Sequence, residues 1–118
     1  MPGVRELITL PWPPRVLHPN ARPHWAAKAR AAKAYRSAAG WATKASGTRV
    51  EGKGAIDLCI SFYPPDNRRR DLDNMLSNCK SLLDGIADAL GVDDSRFTIR
   101  IERGASIKGG QVRVIVTG

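Results

Sequence analysis

The chain has 118 residues, 19 Lys/Arg against 11 Asp/Glu, a formal charge of +8 and 42% hydrophobic residues. That length supports one domain, residues 1–118, with a single core over one sheet. No apolar run approaches the ~20 residues of a membrane span, and the opening MPGVRELITLPWPP lacks the pattern of a signal peptide, so a cytoplasmic protein with no membrane partner is expected.

The excess charge is unevenly placed. Residues 1–49 hold nine Lys/Arg and one acid, whereas residues 50–118 hold ten of each. A basic half in a chain of pI 10.2 points to a nucleic-acid partner. The two Phe and two Tyr form no cluster, which argues against an RNA-binding stacking platform. Cys59 and Cys79 lack metal-ligand spacing and read as buried free thiols.

In chain order, Glu6 to Leu10 reads as a short strand stopped by the prolines of LPWPP. An extended loop follows, and then an alanine-rich helix from about His24 to Ala45. Ala27, Ala31, Ala34, Ala38, Trp41 and Ala45 fall on one face of it and predict a seam packed against a sheet. Arg30, Lys33, Arg36 and Lys44 form a separate cationic arc.

GAIDLCISFYPP alternates apolar and polar residues and predicts a strand. From Asn74 to Leu90 the apolar spacing predicts a helix, with Asp73 as N-cap and Gly91 just past its end. RFTIRIERG is a further strand, and the Gly-Gly turn in SIKGGQVRVIVTG predicts a hairpin between the last two strands. Strand, helix, strand over residues 55–103 is a crossover unit, hence parallel and right-handed. The sum is an α+β domain with a mixed sheet and helices.

The densest chemistry lies in PPDNRRRDLDN, residues 64–74. In an extended segment Asp71 and Asp73 point the same way, and two close carboxylates repel unless a cation lies between them. Oxygen ligands of this kind suit Mg²⁺ or Mn²⁺. Asp73 serves equally well as a helix N-cap. Asp93 and Asp94 add a second acid group at the other end of the helix, about 25 Å away along its axis. A fold-back of the turn, or a two-fold dimer, is needed to bring the groups together.

Arg68, Arg69 and Arg70 beside these acids suit phosphate clamping, although a solvated turn has the same composition. Ser77, Lys80 and Asp84 share a helix edge with Asp73. Lys80 either reaches a phosphate or pairs with Asp84 at i,i+4. An EF-hand reading of DLDNMLSNCKSL fails, with Leu76 where Gly is required and Leu82 where Glu is required. His18 and His24 have no partner at metal spacing.

LPWPP, NRRRDLDN and DGIADALGVDDSRF, in that order, resemble the RusA-type Holliday junction resolvases over roughly residues 6 to 117. The resemblance implies a homodimeric, Mg²⁺- or Mn²⁺-dependent endonuclease that nicks four-way DNA junctions symmetrically, with roles in recombination and repair. It places the catalytic, metal-binding acids on Asp71, Asp73 and Asp94. The family's lysine position holds Ser77 here, and Lys80 is the candidate replacement one turn on. Arg68, Arg69, Arg70, Arg30, Lys33 and Arg36 become the DNA-backbone contacts. The alternative is a catalytically weak or inactive relative that grips branched DNA by charge alone.

Overall fold

The computed structural model describes residues 5–14, 25–50, 52–68 and 80–117. Four strands, β1 (Arg5–Pro11), β2 (Ile56–Tyr63), β3 (Phe97–Arg103) and β4 (Gln111–Thr117), form one sheet in the order β1-β4-β2-β3. β4 runs antiparallel to both β1 and β2, and β3 runs parallel to β2. Among the described residues two helices, α1 (Trp25–Ala45) and α2 (Lys80–Leu90), accompany the sheet and make the architecture α+β. No helix among the described residues is long and apolar enough to cross a membrane.

Period-two alternation sets the register. Ile8 and Leu10, Ile56, Leu58, Ile60 and Phe62, and Val112, Val114 and Val116 are at most 2% exposed and share one sheet face. Each buries about 1.5–3 kcal/mol of transfer free energy, so a one-residue slip of any inner strand would be severely unfavourable. Tyr35 and Ala39 of α1 and Leu82 and Ile86 of α2 close the core over that face. The Tyr35 hydroxyl donates to the Pro11 carbonyl at 2.7 Å and ties α1 to the end of β1.

The parallel crossover from β2 to β3 agrees with the sequence expectation, but the expected terminal hairpin does not form. β4 crosses the end of β2 and inserts between β1 and β2. Backbone bonds fix this path, from Gly104 N–H to the Phe62 carbonyl at 2.8 Å and from Ile107 N–H to the Pro64 carbonyl at 2.8 Å. The physical reason is apolar content. β4 has three buried valines and belongs in the middle, whereas β3, with exposed Arg100, Glu102 and Arg103, tolerates an edge.

The docking face of α1 also differs from expectation. Its buried residues are Tyr35, Ala39 and Thr43, roughly 120° round the helix from the predicted alanine seam, and Trp41 and Ala45 are exposed. With alanines on every side of α1, small-residue spacing does not distinguish one face from another. The larger side chain of Tyr35 does. α1 packs closely on α2 at Gly85, where an added Cβ would lie 2.2 Å from the Arg36 carbonyl oxygen.

Candidate nucleic-acid and metal site

The arginine–aspartate segment begins where β2 ends. Asp66 forms a local turn, its Oδ1 accepting from the Arg68 N–H at 3.0 Å and its Oδ2 lying 3.8 Å from Arg68 Nε. The Arg68 side chain is 79% exposed. Arg69, Arg70, Asp71, Asp73, Ser77 and Cys79 lie outside the described residues, as does the predicted N-cap role of Asp73. Among the described residues no three His, Cys, Asp or Glu side chains cluster closely enough to hold a metal ion.

The second acid group is resolved into two roles. α2 ends as its sequence predicts: Gly91 takes φ 69°, the Val92 N–H donates to the Ala87 carbonyl at 3.1 Å, and the Gly91 N–H donates to the Asp88 carbonyl at 3.3 Å. A single 3₁₀ turn, Asp94–Arg96, then leads into β3. Asp93 caps that turn, with Oδ1 accepting from the Ser95 N–H at 2.8 Å. Bonds from the Ser95 backbone and hydroxyl, and one shared with the Asp94 carboxyl, hold the Asp93 carboxyl below the usual carboxylate range. Asp94 lies outside the cap, exposed to solvent and with its carboxyl against that of Asp93.

Arg96 fixes the position of this turn. Its Nη2 donates to the carbonyls of Gly52 and Gly54 at 2.9 and 3.0 Å, and its Nε donates to Gly54 at 3.1 Å. The acid pair is therefore tied to the segment entering β2, not merely to α2. Nothing in the periodicity of the sequence signals that clamp.

Lys80 lies in α2, with a side chain 80% exposed and Nζ 4.0 Å from Asp84 Oδ1. A separation that long, in water, holds the ammonium weakly and leaves it able to swing toward an anion. The intrahelical pair weighed from spacing is thus present in its loosest form.

On α1, Arg30 and Lys33 are exposed. Arg36, expected to contact the DNA backbone, is paired with an acid. Its Nε and Nη2 bind both carboxylate oxygens of Asp88 on α2, at 2.6 and 2.9 Å. The pairing raises the Arg36 pKa and lowers that of Asp88, in each case chiefly through the side-chain hydrogen bond. Beside it lies a groove lined by Lys33, Arg36, Ser37, Trp41, Lys44 and Asp88. Trp41, assigned from spacing to the docking seam, instead stands on the groove wall with Lys44 Nζ 5.4 Å from its ring centroid.

No family model matches the chain. It aligns over its whole length, 128 positions at 43% identity, with an uncharacterized protein of Xylella fastidiosa, covering 81% of that protein. It is 31% identical over 116 residues to the crossover junction endodeoxyribonuclease rusA of Enterobacteria phage 82, spanning 93% of this chain and 92% of the phage protein. The crossover junction endodeoxyribonuclease RusA of Escherichia coli K12 gives 30% identity over the same shares of each chain.

Proposed function

The chain belongs to the RusA crossover junction endodeoxyribonuclease family, and from that premise we propose that it is a divalent-metal-dependent endonuclease acting on four-way DNA junctions. The observation that carries the reading is the division of labour at the acid pair. Asp93 caps the 3₁₀ turn and Asp94 presents a carboxylate to solvent with no capping duty. Exposed carboxylates among basic surfaces suit a hard cation that also meets phosphate oxygens.

In this reading Asp71, Asp73 and Asp94 would hold Mg²⁺ or Mn²⁺, which would supply water activation and charge neutralisation at the scissile phosphate. Lys80 approaches a phosphate from α2. Arg68, Arg69, Arg70, Arg30 and Lys33 grip the backbone of the DNA arms, giving a steep salt dependence of binding.

We further propose a homodimer. Asp94 precedes β3, whose Phe97 lies beside Ile56 at the start of β2, whereas the segment leading to Asp71 leaves the far end of β2 at Tyr63. Eight residues of strand span about 25 Å. A two-fold pair of protomers supplies a route by which Asp94 of one meets the Asp71–Asp73 segment of the other, and it presents two sites to a nearly two-fold junction.

A labelled four-way junction beside a linear duplex, with Mg²⁺ or Mn²⁺ and without, tests the reading. Symmetric nicks on the junction alone are expected, and Asp71→Asn is expected to bind junctions while losing cleavage about a hundredfold or more. An Asp71→Asn protein that cuts at the wild-type rate would sink the catalytic assignment. Metal-independent gripping without nicks by the wild type would identify the chain as a branched-DNA-binding relative.

A further inference from the structure

We propose that the groove between α1 and the end of α2 is a seat for unpaired DNA nucleotides, with Trp41 as the stacking platform and Lys33 and Lys44 as its phosphate contacts. This rests on the DNA-junction reading and adds to it a site for single strand.

Trp41 is 72% exposed, a large apolar area to leave in water on a helix that has a buried face available. Its neighbours on the outer side of α1 are Arg30, Lys33, Ser37 and Lys44, all within an arc of about 80° at 100° per residue. The stripe runs about 21 Å along the helix axis from Arg30 to Lys44. One indole set among cations is the composition of a single-strand nucleic-acid surface, in which bases stack on aromatic faces and basic side chains follow the backbone.

The electrostatics favour an anion. Among the described residues the one carboxylate lining the groove is Asp88, and Arg36 holds both of its oxygens. The charge left over belongs to Lys33 and Lys44. Lys44 leans over one face of the indole and so orients the ring as well as adding charge. Large contiguous apolar patches mark protein and membrane interfaces, whereas the described residues of the groove offer one aromatic ring edged by polar and charged groups.

The same geometry favours unpaired nucleotides over duplex. In a duplex the base faces are already stacked on one another, so Trp41 would gain nothing and only the lysines would bind. A strand opened at a branch point exposes base faces that Trp41 can cover.

Binding is measured in EDTA by fluorescence anisotropy, with a labelled oligodeoxythymidylate and a blunt duplex carrying the same number of phosphates. Trp41→Ala is expected to weaken oligothymidylate binding about tenfold and duplex binding less than about twofold, and Trp41→Phe to recover most of the loss. Lys33→Ala and Lys44→Ala are each expected to lower the salt slope by about 0.7 on the single strand. The proposal is overturned if the wild type does not bind the single strand. It is equally overturned if Trp41→Ala leaves that binding unchanged or weakens both ligands alike, or if Trp41→Phe recovers nothing. Junction cleavage by the same wild-type preparation is a separate readout. Absence of nicks strikes the nuclease reading alone, and cleavage with an unaltered Trp41→Ala affinity strikes the groove alone.

Discussion

Gly85→Ala and Gly40→Ala make the same chemical change on facing helices and are expected to act in opposite directions. At Gly85 a new Cβ would lie 2.2 Å from the Arg36 carbonyl oxygen and 2.7 Å from the Ala39 Cβ. Ordinary carbon–oxygen contacts close at about 3.3 Å and carbon–carbon contacts at about 3.5 Å, so both fall short by about 1 Å. A Cβ has no rotamer to escape into, and the atoms it meets are fixed to the backbone of α1. The helices must separate by about that distance. A gap of this size forfeits a quarter to a half of each dispersion contact across the interface. Overpacking at its upper end costs about 3 kcal/mol, offset by about 1 kcal/mol of better helix propensity, for a net loss of about 2 kcal/mol. For 118 residues that lowers Tm by about 8 °C. At Gly40 the added Cβ meets the Gly85 carbonyl oxygen at 3.5 Å, an ordinary contact. There the propensity gain survives, and Tm should rise by a few degrees. Calorimetry of the two variants decides the matter. A Gly85→Ala protein that melts above wild type would refute the close helix approach.

Other expectations concern the acid pair, the helix clamp and the buried tyrosine. Asp94→Asn should lose junction cleavage about a hundredfold or more while keeping the wild-type Tm. Asp93→Ala should lower Tm and keep cleavage, and the reverse pattern would exchange their roles. Because Arg36 holds the Asp88 carboxyl below the usual carboxylate range, the pair supports the fold above about pH 4 and loses that support as pH falls through the lowered pKa. The urea midpoint difference between wild type and Asp88→Asn should therefore shrink on acidification, and a constant difference would contradict the pairing. Tyr35→Phe removes a buried hydrogen bond to Pro11 and should cost about 1 kcal/mol in a denaturant titration.

The sequence discloses what depends on near neighbours and hides what depends on contacts across the fold. Gly91 is legible because a helix end needs a left-handed residue and glycine adopts that conformation at little cost. The strand alternation of Ile56 to Phe62 is legible because the pleat has a fixed period. The position of β4 is not: Gly109 and Gly110 read as a hairpin turn, and only the competition for the sheet centre sends β4 past β2. The same holds for the site. Two adjacent aspartates, Asp93 and Asp94, look equivalent until the backbone of Ser95 selects one of them as a cap. Arg36 looks like any other cation on α1 until Asp88 appears opposite it. Asp71 and Asp73 rest on the resemblance and on family membership, since they lie outside the described residues.

The strand order also constrains when this protein can exist as a folded object. Among the described residues β1 has one neighbour in the sheet, and that neighbour is β4, the last of the four strands in chain order. Arg5 pairs with Thr117, so every residue between them is synthesised before β1 finds that partner. Until then the ladder groups of β1 and the apolar flank of β2 stay unmatched, a delay of the kind that slows folding of non-local sheets. Losing β4 would not trim an edge but cut the sheet in two, stranding β1 on one side and the β2–β3 pair on the other.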